Sequence, residues 1–442
     1  MISTATKTLQ ANNKMIYVAL LSTLTFFLFL DYIPGLEAWS AWVTPPVALF
    51  LGLIFALTCG QAHPKFNKKT SKYLIFLQNT LTLPQRNTIM DIEALTQEAV
   101  GLLERMVSLP SVSREEKEVA DLLENFMKER GKTPHRTGHN LWCISPFYRT
   151  GRPTLLLNAH IDTVKPAASW TRDPFRPTRE GERIYGLGTN DDGASVVALW
   201  QAFCTLSGKE QPYNLIFLAS CEEEVSGKNG IESALPLLPH IDLALVGEPT
   251  GMQPAIAEKG LMVLDVTAYG KSGHAARNEG ENAIYKAMKD MEWFRTYRFP
   301  KTSPLLGDVK MSVTVIHAGT QHNVVPDQCV FTVDVRSNEN YSNEEIYRTA
   351  CAHTDGEVKA RSFRLNSSRI DENHPIVAKA KALGRTPFGS PTLSDQALMH
   401  FPSLKMGPGE SSRSHTADEY ITVTEIREAI ALYIELLDGL QI

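Results

Sequence analysis

The sequence lacks several features that would assign it to familiar functional classes. Its six cysteines stand apart with no paired spacing, so a disulfide framework is not predicted and a reducing compartment is favoured. The chain has no basic excess, and its formal net charge of -5 argues against a nucleic-acid-binding protein. Internal repeats and low-complexity tracts are also absent. The composition is otherwise that of a globular protein, and 442 residues suffice for about two or three domains.

The first 89 residues differ from the rest because they contain two long apolar runs. Residues 15–30 are almost wholly apolar, and residues 41–60 form a second run of membrane-spanning length. Lysines on both outer flanks predict a two-helix hairpin with both of its ends in the cytoplasm. A cleavable signal peptide is disfavoured, since a second run follows and no small-residue cleavage site is evident.

The stretch of residues 45–73 resembles the opening of a multi-span membrane protein of the sulfate-exporter type. Such a protein needs many more spans than the two found here. Met90 then begins a sequence that reads as a complete soluble enzyme. Our preferred interpretation is therefore a gene fusion or a misplaced start codon. The alternative is a functional anchor that holds a cytoplasmic catalytic domain at the inner membrane.

From Met90 onward, strand and helix signals alternate. Residues 154–160, 214–220 and 242–247 are short apolar runs that predict strands buried on both faces. Residues 259–368 instead alternate like half-exposed strands and predict a smaller, inserted α+β lid or dimerisation domain. We therefore expect an α/β fold with a mixed, mostly parallel sheet flanked by helices, built from residues 90–258 and 369–442.

Capping boxes predict the starts of two helices. In this motif a Ser or Thr side chain and a Glu three residues later satisfy each other's backbone N–H groups. Ser113 and Glu116 precede one apolar stripe of helical spacing. Thr422 and Glu425 precede another stripe near the C-terminus.

Side chains of the metal-ligand type follow the predicted buried strands, at the edge where open α/β sheets build their sites. His160 ends the first run, and Asp162 lies on the same side of the extended chain. This spacing suits His160 as a metal ligand and Asp162 as the carboxylate that fixes its tautomer. Asp191 follows a glycine-bearing turn and is a further candidate ligand. Asp192 beside it better suits a helix N-cap or a solvent-facing position.

Three successive carboxylates, Glu222, Glu223 and Glu224, are the sharpest local anomaly in the chain. At the end of a buried apolar strand they repel one another and lose hydration. A solvated run of charge is the usual explanation for such a sequence, but it seldom follows a buried strand. A metal would relieve the repulsion, with one Glu as a ligand and its neighbour free as a general base.

Two further candidates complete the set. Glu248 ends another apolar run, where the plain alternative is a turn residue before proline. His415 is the last candidate ligand, where the alternative is an ordinary loop histidine. Gly409, shortly before it, lets the backbone approach a substrate closely. Together the candidates indicate a hydrolytic metal centre with oxygen and nitrogen donors only, which suits Zn²⁺ or Co²⁺ and is compatible with Mn²⁺.

As an ordered set, these motifs resemble a family of dinuclear zinc amidohydrolases and peptidases. The family includes acetylornithine deacetylase, succinyl-diaminopimelate desuccinylase and glutamate carboxypeptidases, and the resemblance covers residues 90–442. It implies two Zn²⁺ or Co²⁺ ions per subunit, with Asp191 bridging them and Glu223 as the general base. It also implies Asp162 as the carboxylate behind the first histidine. The remaining implied ligands are His160 and Glu248 on one ion, and His415 and Glu224 on the other.

The inserted domain carries further family-like motifs. The segment around His274 resembles one whose histidine reaches the substrate carbonyl, often from the partner subunit, so the resemblance implies a homodimer formed through this domain. Asn323 and Arg336 lie in motifs like those of the family's lid and are candidate substrate contacts, together with Gly409. Arg336 would suit a bidentate carboxylate clamp. One departure is the absence, after Asp191, of the Lys in the Asp-x-Lys-Gly motif of many members, which bears on the subfamily.

We therefore predict metal-dependent hydrolysis of the amide bond of a small N-acylated amino acid. N2-acetylornithine, cleaved to ornithine and acetate in arginine biosynthesis, is favoured because the segment around His415 resembles the acetylornithine deacetylase subgroup. N-acetylcitrulline, an N-succinyl amino acid and a dipeptide stay open as substrates. Two non-enzymatic alternatives are a membrane-tethered binding module and a transporter fragment. An intact Glu223 argues against the first, and the presence of only two spans against the second.

Overall fold

A computed structural model describes residues 85–442 of the chain. Its α-helices, in chain order, are α1 (Gln85–Val107), α2 (Lys117–Glu129), α3 (Ala194–Leu206), α4 (Ile231–Ala234), α5 (Ala283–Thr296), α6 (Asn343–His353), α7 (Pro375–Ala382) and α8 (Val423–Leu437). Its strands are β1 (His135–Thr137), β2 (Asn140–Ile144), β3 (Thr154–His160), β4 (Thr178–Glu180), β5 (Arg183–Tyr185), β6 (Asn214–Ser220), β7 (Leu243–Val246), β8 (Ala255–Glu258), β9 (Met262–Tyr269), β10 (Gly273–His274), β11 (Lys310–Ala318), β12 (Val324–Val325), β13 (Gln328–Arg336), β14 (Glu357–Ala360), β15 (Ser368–Arg369), β16 (Phe388–Ser390), β17 (Ser403–Lys405) and β18 (Tyr420–Thr422).

The predicted hydrophobic hairpin cannot be compared with these elements. Its two apolar runs, residues 15–30 and 41–60, lie outside the described residues. Within residues 85–442, no helix combines the length and the apolar character needed to cross a membrane.

The larger sheet has nine strands and draws them from both sides of the inserted segment. Its strand order is β1-β2-β6-β3-β7-β17-β8-β15, and β16 pairs with β8 beside this path. The four central strands β6, β3, β7 and β17 run parallel, whereas β2 and β8 join them antiparallel. The prediction of a mixed sheet flanked by helices is confirmed, with the parallel pairing concentrated at its centre.

The three apolar runs predicted as buried strands form β3, β6 and β7, and every residue of these strands is buried. Their side chains alternate between two apolar layers, as the pleat of a strand requires. Leu155 and Leu157 pack into the layer of α1, α2, α3 and α8, whereas Leu156 packs into the opposite layer with α4. Because both faces are covered, these strands are continuously apolar rather than alternating.

Residues 262–360 contain a second sheet with its own core. Its strand order is β11-β13-β9-β14, and all its pairings are antiparallel. Phe294 of α5, Phe331 of β13 and Ile346 of α6 belong to one buried cluster on this sheet. β9 alternates buried and half-buried residues, as expected for a sheet with one covered face.

The two capping-box predictions have different outcomes. At the start of α8, the Thr422 hydroxyl accepts from the Glu425 N–H and the Glu425 carboxylate accepts from the Thr422 N–H, so this prediction is confirmed. The prediction for Ser113 is wrong, because α2 begins at Lys117 without a side-chain cap. The Ser113 hydroxyl instead donates to Asp162 Oδ2 at 2.6 Å.

Candidate metal centre

The five predicted ligands lie together at the carboxyl edge of the central strands. His160 is the last residue of β3, while Glu224 follows β6 and Glu248 follows β7. Asp191 lies in the turn between β5 and α3, and His415 in the loop between β17 and β18. Buried neighbouring strands therefore hold three of the ligands, and loops that cross this edge supply the other two.

Asp191 lies between the two histidines. Its Oδ1 is 3.2 Å from His160 Nε2, and its Oδ2 is 3.6 Å from His415 Nε2. His415 Nε2 also lies 3.0 Å from Glu224 Oε1 and 2.9 Å from Glu224 Oε2. Each oxygen of Asp191 thus faces a different histidine, which is the arrangement a bridging carboxylate needs.

Two overlapping groups of these side chains are compact enough to hold a metal ion. In each group the ligand atoms lie within 4.8 Å of one another. One group is His160, Asp191 and Glu224, and the other is His160, Glu223 and Glu248. Both groups include His160, neither includes His415, and the second contains Glu223, which was predicted from sequence as the base rather than as a ligand.

The electrostatics of this cluster favour the binding of positive charge. Burial, together with the neighbouring carboxylates, raises the pKa of Glu223 and of Glu248 well above the ordinary value, and burial also raises that of Glu224. Burial by itself lowers the pKa of His160, but hydrogen bonds to Asp162 and Asp191 raise it well above the usual range. The raised pKa values mean that protons bound to these side chains reduce the negative charge of the cluster. A divalent cation would do so in their place. Imidazole nitrogens and carboxylate oxygens fit such an ion.

Asp162 supports both the first histidine and the loop after β6. His160 Nδ1 lies 2.9 Å from the Asp162 backbone oxygen but 3.5 Å from its carboxylate. The carboxylate instead accepts the backbone N–H groups of Glu223 at 3.0 Å and Glu224 at 3.1 Å. Asp162 therefore fixes the imidazole mainly through its carbonyl and holds the Glu223–Glu224 backbone through its side chain.

Glu419 is a buried residue of this site to which sequence reasoning assigned no role. Its carboxylate accepts the backbone N–H groups of Gly188 at 3.2 Å, Asn190 at 2.7 Å and Asp191 at 2.9 Å. Because Glu419 lies four residues after His415, these bonds connect the turn that contains Asp191 to the loop that contains His415. No spacing of side chains in the sequence signals this role, because the partners of Glu419 are backbone N–H groups of a distant turn.

Gly409 lies against the same turn. Its φ of 82° is left-handed, and a Cβ there would come within 2.2 Å of Asn190 Oδ1. The neighbouring Glu410 N–H donates to that oxygen at 3.0 Å. Glycine is therefore required at 409 for the loop to pack beside Asp191.

Asp192 and Glu222 flank the cluster but face elsewhere. The prediction that Asp192 caps a helix or faces solvent is wrong: its side chain is buried and makes no cap, and within residues 85–442 neither of its oxygens has a hydrogen-bond partner. Burial raises its pKa to about 8. Glu222 has a left-handed φ of 55°, and its carboxylate accepts from Asn229 Nδ2 at 3.0 Å. The left-handed turn at Glu222 lets its carboxylate face Asn229, while the carboxylates of Glu223 and Glu224 face the ligand cluster.

Residues 156–439 match the family model described as peptidase family M20/M25/M40. The chain belongs to this family. As an M20 protein it is a metal-dependent hydrolase that acts on acylated amino acids or peptides. This confirms both the predicted family and the predicted class of enzyme.

Curated relatives cover most of the M20 chain. It is 28% identical over 368 residues to a succinyl-diaminopimelate desuccinylase of Corynebacterium glutamicum, a match covering 76% of this chain and 95% of the relative. It is 25% identical over 362 residues to an acetylornithine deacetylase of Buchnera aphidicola, with 73% and 92% covered. Over 75 residues it is also 92% identical to a UPF0324 membrane protein of Bacteroides thetaiotaomicron. That match covers 17% of this chain and only 23% of the membrane protein.

Solved structures share the fold at lower identity. Aminopeptidase PepT from Bacillus cereus superposes with a TM-score of 0.63 at 20% identity, covering 77% of this chain and 98% of that one. A dinuclear metal binding peptidase of the M20 family from Bacillus subtilis has a TM-score of 0.61 at 16% identity, covering 78% and 98%. The M20 fold therefore extends over both sheets.

Three site residues predicted in the inserted domain, His274, Asn323 and Arg336, are engaged locally and, among residues 85–442, not with the ligand cluster. His274 and Asn323 are exposed, and the backbone oxygen of Asn323 accepts the Ala275 N–H at 2.9 Å where β10 pairs with β12. Arg336 is engaged by its neighbour Asp334, with nitrogen–oxygen distances of 2.9 Å and 3.2 Å. Among the described residues, none of these three side chains hydrogen-bonds a predicted ligand. Gly409 alone of the predicted substrate contacts lies beside the cluster.

Proposed function

We propose that this protein hydrolyses the amide bond of an N-acylated amino acid, with N2-acetylornithine as the first candidate substrate. The observation that carries the reaction class is Glu223, a carboxylate only 10% exposed, with Oε2 4.0 Å from His160 Nε2 at the edge of the ligand cluster. Relatives named acetylornithine deacetylase and succinyl-diaminopimelate desuccinylase support a deacylase. The second name makes an N-succinyl amino acid the strongest alternative, beside N-acetylcitrulline.

We propose two divalent ions, Zn²⁺ or Co²⁺, as the cofactors. Asp191 would bridge them, since its two oxygens face different histidines. His160 and Glu248 would hold one ion, and His415 and Glu224 the other. The chemistry supplied by such ions is a lowered pKa for water and a polarised acyl carbonyl.

The chain's own groups would carry the proton and orient the substrate. Glu223 takes the proton from the attacking water and later delivers it to the departing amine, so it acts as base and then as acid. Asp162 holds the Glu223 backbone in place for both steps. His274 would stabilise the oxyanion that forms on the acyl carbon. Asn323, Arg336 and Gly409 are the proposed substrate contacts.

The test of the substrate is a release assay on the purified chain, beside a form that begins at Met90. The panel holds acetylornithine, acetylcitrulline, succinylornithine and several dipeptides, each with Zn²⁺, with Co²⁺ and after chelation. We expect metal-dependent release that is fastest for acetylornithine. A faster succinylated substrate or dipeptide would replace acetylornithine, and no release from any substrate would favour a binding module.

The test of the base compares two adjacent glutamates. Glu223→Gln removes the proton carrier and should lower kcat about 100-fold or more while the metal content stays unchanged. Glu222→Gln is the matched control, because its carboxylate bonds Asn229 and not the ligand cluster. Full activity in the Glu223 variant would reject the assignment.

We also propose a homodimer formed through residues 259–368. Within the described residues β11 pairs only with β13, so one edge of the second sheet is open. Val315 and Ile316 on this strand are 43% and 48% exposed. Open sheet edges with apolar side chains are suited to pairing with another strand. Sedimentation of the purified chain tests this, and Ile316→Lys should shift a dimer toward monomer.

A further inference from the structure

Two short segments connect the first sheet to the second, and they are fastened to each other. One segment, residues 259–261, leads out of β8, and the other, residues 361–367 between β14 and β15, leads back. The two segments together are called the crossing. The Leu261 N–H donates to the Leu365 oxygen at 2.9 Å. The buried Asn343 side chain donates to the Leu365 oxygen at 2.7 Å and to the Leu261 oxygen at 3.2 Å. The crossing is therefore also fastened to α6 of the second sheet.

Arg364 reaches from this crossing to the loop that follows β6 and to α4, which comes next in the chain. Its Nη1 donates to Glu232 Oε2 at 2.7 Å, and its Nη2 donates to the backbone oxygen of Ser226. The side chain is 24% exposed. A planar guanidinium can serve two acceptors at once, which a lysine ammonium on a flexible stem does less well.

The loop that Arg364 contacts carries the proposed base and one proposed ligand. At its start, Asp162 holds the N–H groups of Glu223 and Glu224. The Ser226 N–H then donates to the backbone oxygen of Glu223 at 2.7 Å, so the Ser226 carbonyl lies one tight turn from the residue that carries the base. Ser226 itself has a left-handed φ of 45°, a conformation that a non-glycine residue keeps only when its surroundings hold it.

We propose that Arg364 is a positioning residue that fixes the Glu223–Glu224 loop to the crossing between the two sheets. The placement of the second sheet is thereby coupled to the placement of the base. This inference rests on the proposed role of Glu223. The contacts alone support the structural claim, which is that Arg364 connects the crossing to the Glu223–Glu224 loop.

The test replaces Arg364 in the full chain. Arg364→Met keeps the aliphatic stem and removes both donors, and it should lower kcat about 10- to 100-fold with KM little changed, because a small displacement of a catalytic group has this effect. Arg364→Lys should recover part of the loss. Arg361→Met is the matched control: its guanidinium pairs with Asp265 of β9 at 2.8 and 2.9 Å and, among residues 85–442, makes no hydrogen bond to the loop.

Hydrogen exchange separates this inference from the proposed function. In the Met variant of Arg364, amides of residues 222–230 should exchange about 10-fold faster, whereas the control variant should leave them unchanged. Unchanged exchange in this loop, or an equal loss of kcat in the control variant, would overturn the inference. If the wild-type chain hydrolyses no substrate, the proposed function fails, and the exchange measurement still decides whether Arg364 holds the loop.

Discussion

Two buried aspartates in this chain each accept a pair of backbone N–H groups, one beside the candidate metal centre and one beside the second sheet. A comparison of their variants is a controlled test of the metal centre. Asp162 accepts the backbone N–H groups of Glu223 and Glu224 at 3.0 and 3.1 Å, and the Ser113 hydroxyl at 2.6 Å. Asp290, in α5 beside the second sheet, accepts the N–H groups of Asp355 and Gly356 at 3.0 and 2.9 Å. Both carboxylates are almost fully buried.

Replacing either aspartate by asparagine keeps one acceptor oxygen and turns an NH₂ group toward a backbone N–H. A hydrogen bond to a charged group contributes about 1.5–3 kcal/mol, and a buried donor left without an acceptor costs about 1–3 kcal/mol. We therefore expect Asp162→Asn and Asp290→Asn each to lower the free energy of unfolding by about 2–4 kcal/mol. Ser113→Ala removes one hydroxyl donor from the charged Asp162 and should cost about 1.5–3 kcal/mol.

Activity should separate the two variants where stability does not. Asp162→Asn frees the Glu223 backbone, and kcat should fall about 100-fold, because a displacement of about 1 Å has that effect. Asp290→Asn should leave kcat unchanged. The assays are urea unfolding followed by circular dichroism, and steady-state hydrolysis at saturating metal. Near-normal kcat in the Asp162 variant, or an equal loss in the Asp290 variant, would refute this reasoning.

Three other predictions use separate parts of the chain. Glu419→Gln weakens a carboxylate that accepts three backbone N–H groups, so unfolding of the metal-free protein should need about 1–3 kcal/mol less; an unchanged urea midpoint would contradict this. Burial raises the pKa of Cys143 and of Cys204 to about 12, so an alkylating reagent at pH 8 should modify the exposed Cys351 and spare both, as read by peptide mass spectrometry. An immunoblot of the native protein should detect a product that begins at Met90, and a full-length, membrane-bound product would instead support the anchor.

The central strands, and the candidate ligands at their ends, could be found in the sequence for one physical reason. A strand buried on both faces must be continuously apolar, so a histidine or glutamate at its end stands out. β3 and β6 coincide with the predicted runs, and His160 ends β3 as expected. The family resemblance then supplied the order of the ligands, which periodicity alone could not.

The errors came from local signals that tertiary contacts override. Ser113 and Glu116 have the spacing of a capping box, but the Ser113 hydroxyl bonds Asp162 from 49 residues away. Asp192 suits a cap by residue type, yet the packing around the turn buries it. Glu419 was overlooked because its partners are backbone N–H groups of a distant turn, which leave no trace in side-chain spacing.

The reaction class is better determined than the substrate, and the structure explains the difference. The candidate ligands at strand ends are placed by the buried core, whereas His274 and Asn323 are exposed residues of a two-stranded ribbon and its flank. Arg336 already pairs with Asp334 at 2.9 and 3.2 Å, so a substrate carboxylate bound there competes with that partner for the guanidinium. An N-acylated amino acid brings such a carboxylate, and a neutral amide does not. If Arg336 is the clamp, Asp334→Asn should lower KM for carboxylate substrates and leave it unchanged for their amides, because the competing charge is removed.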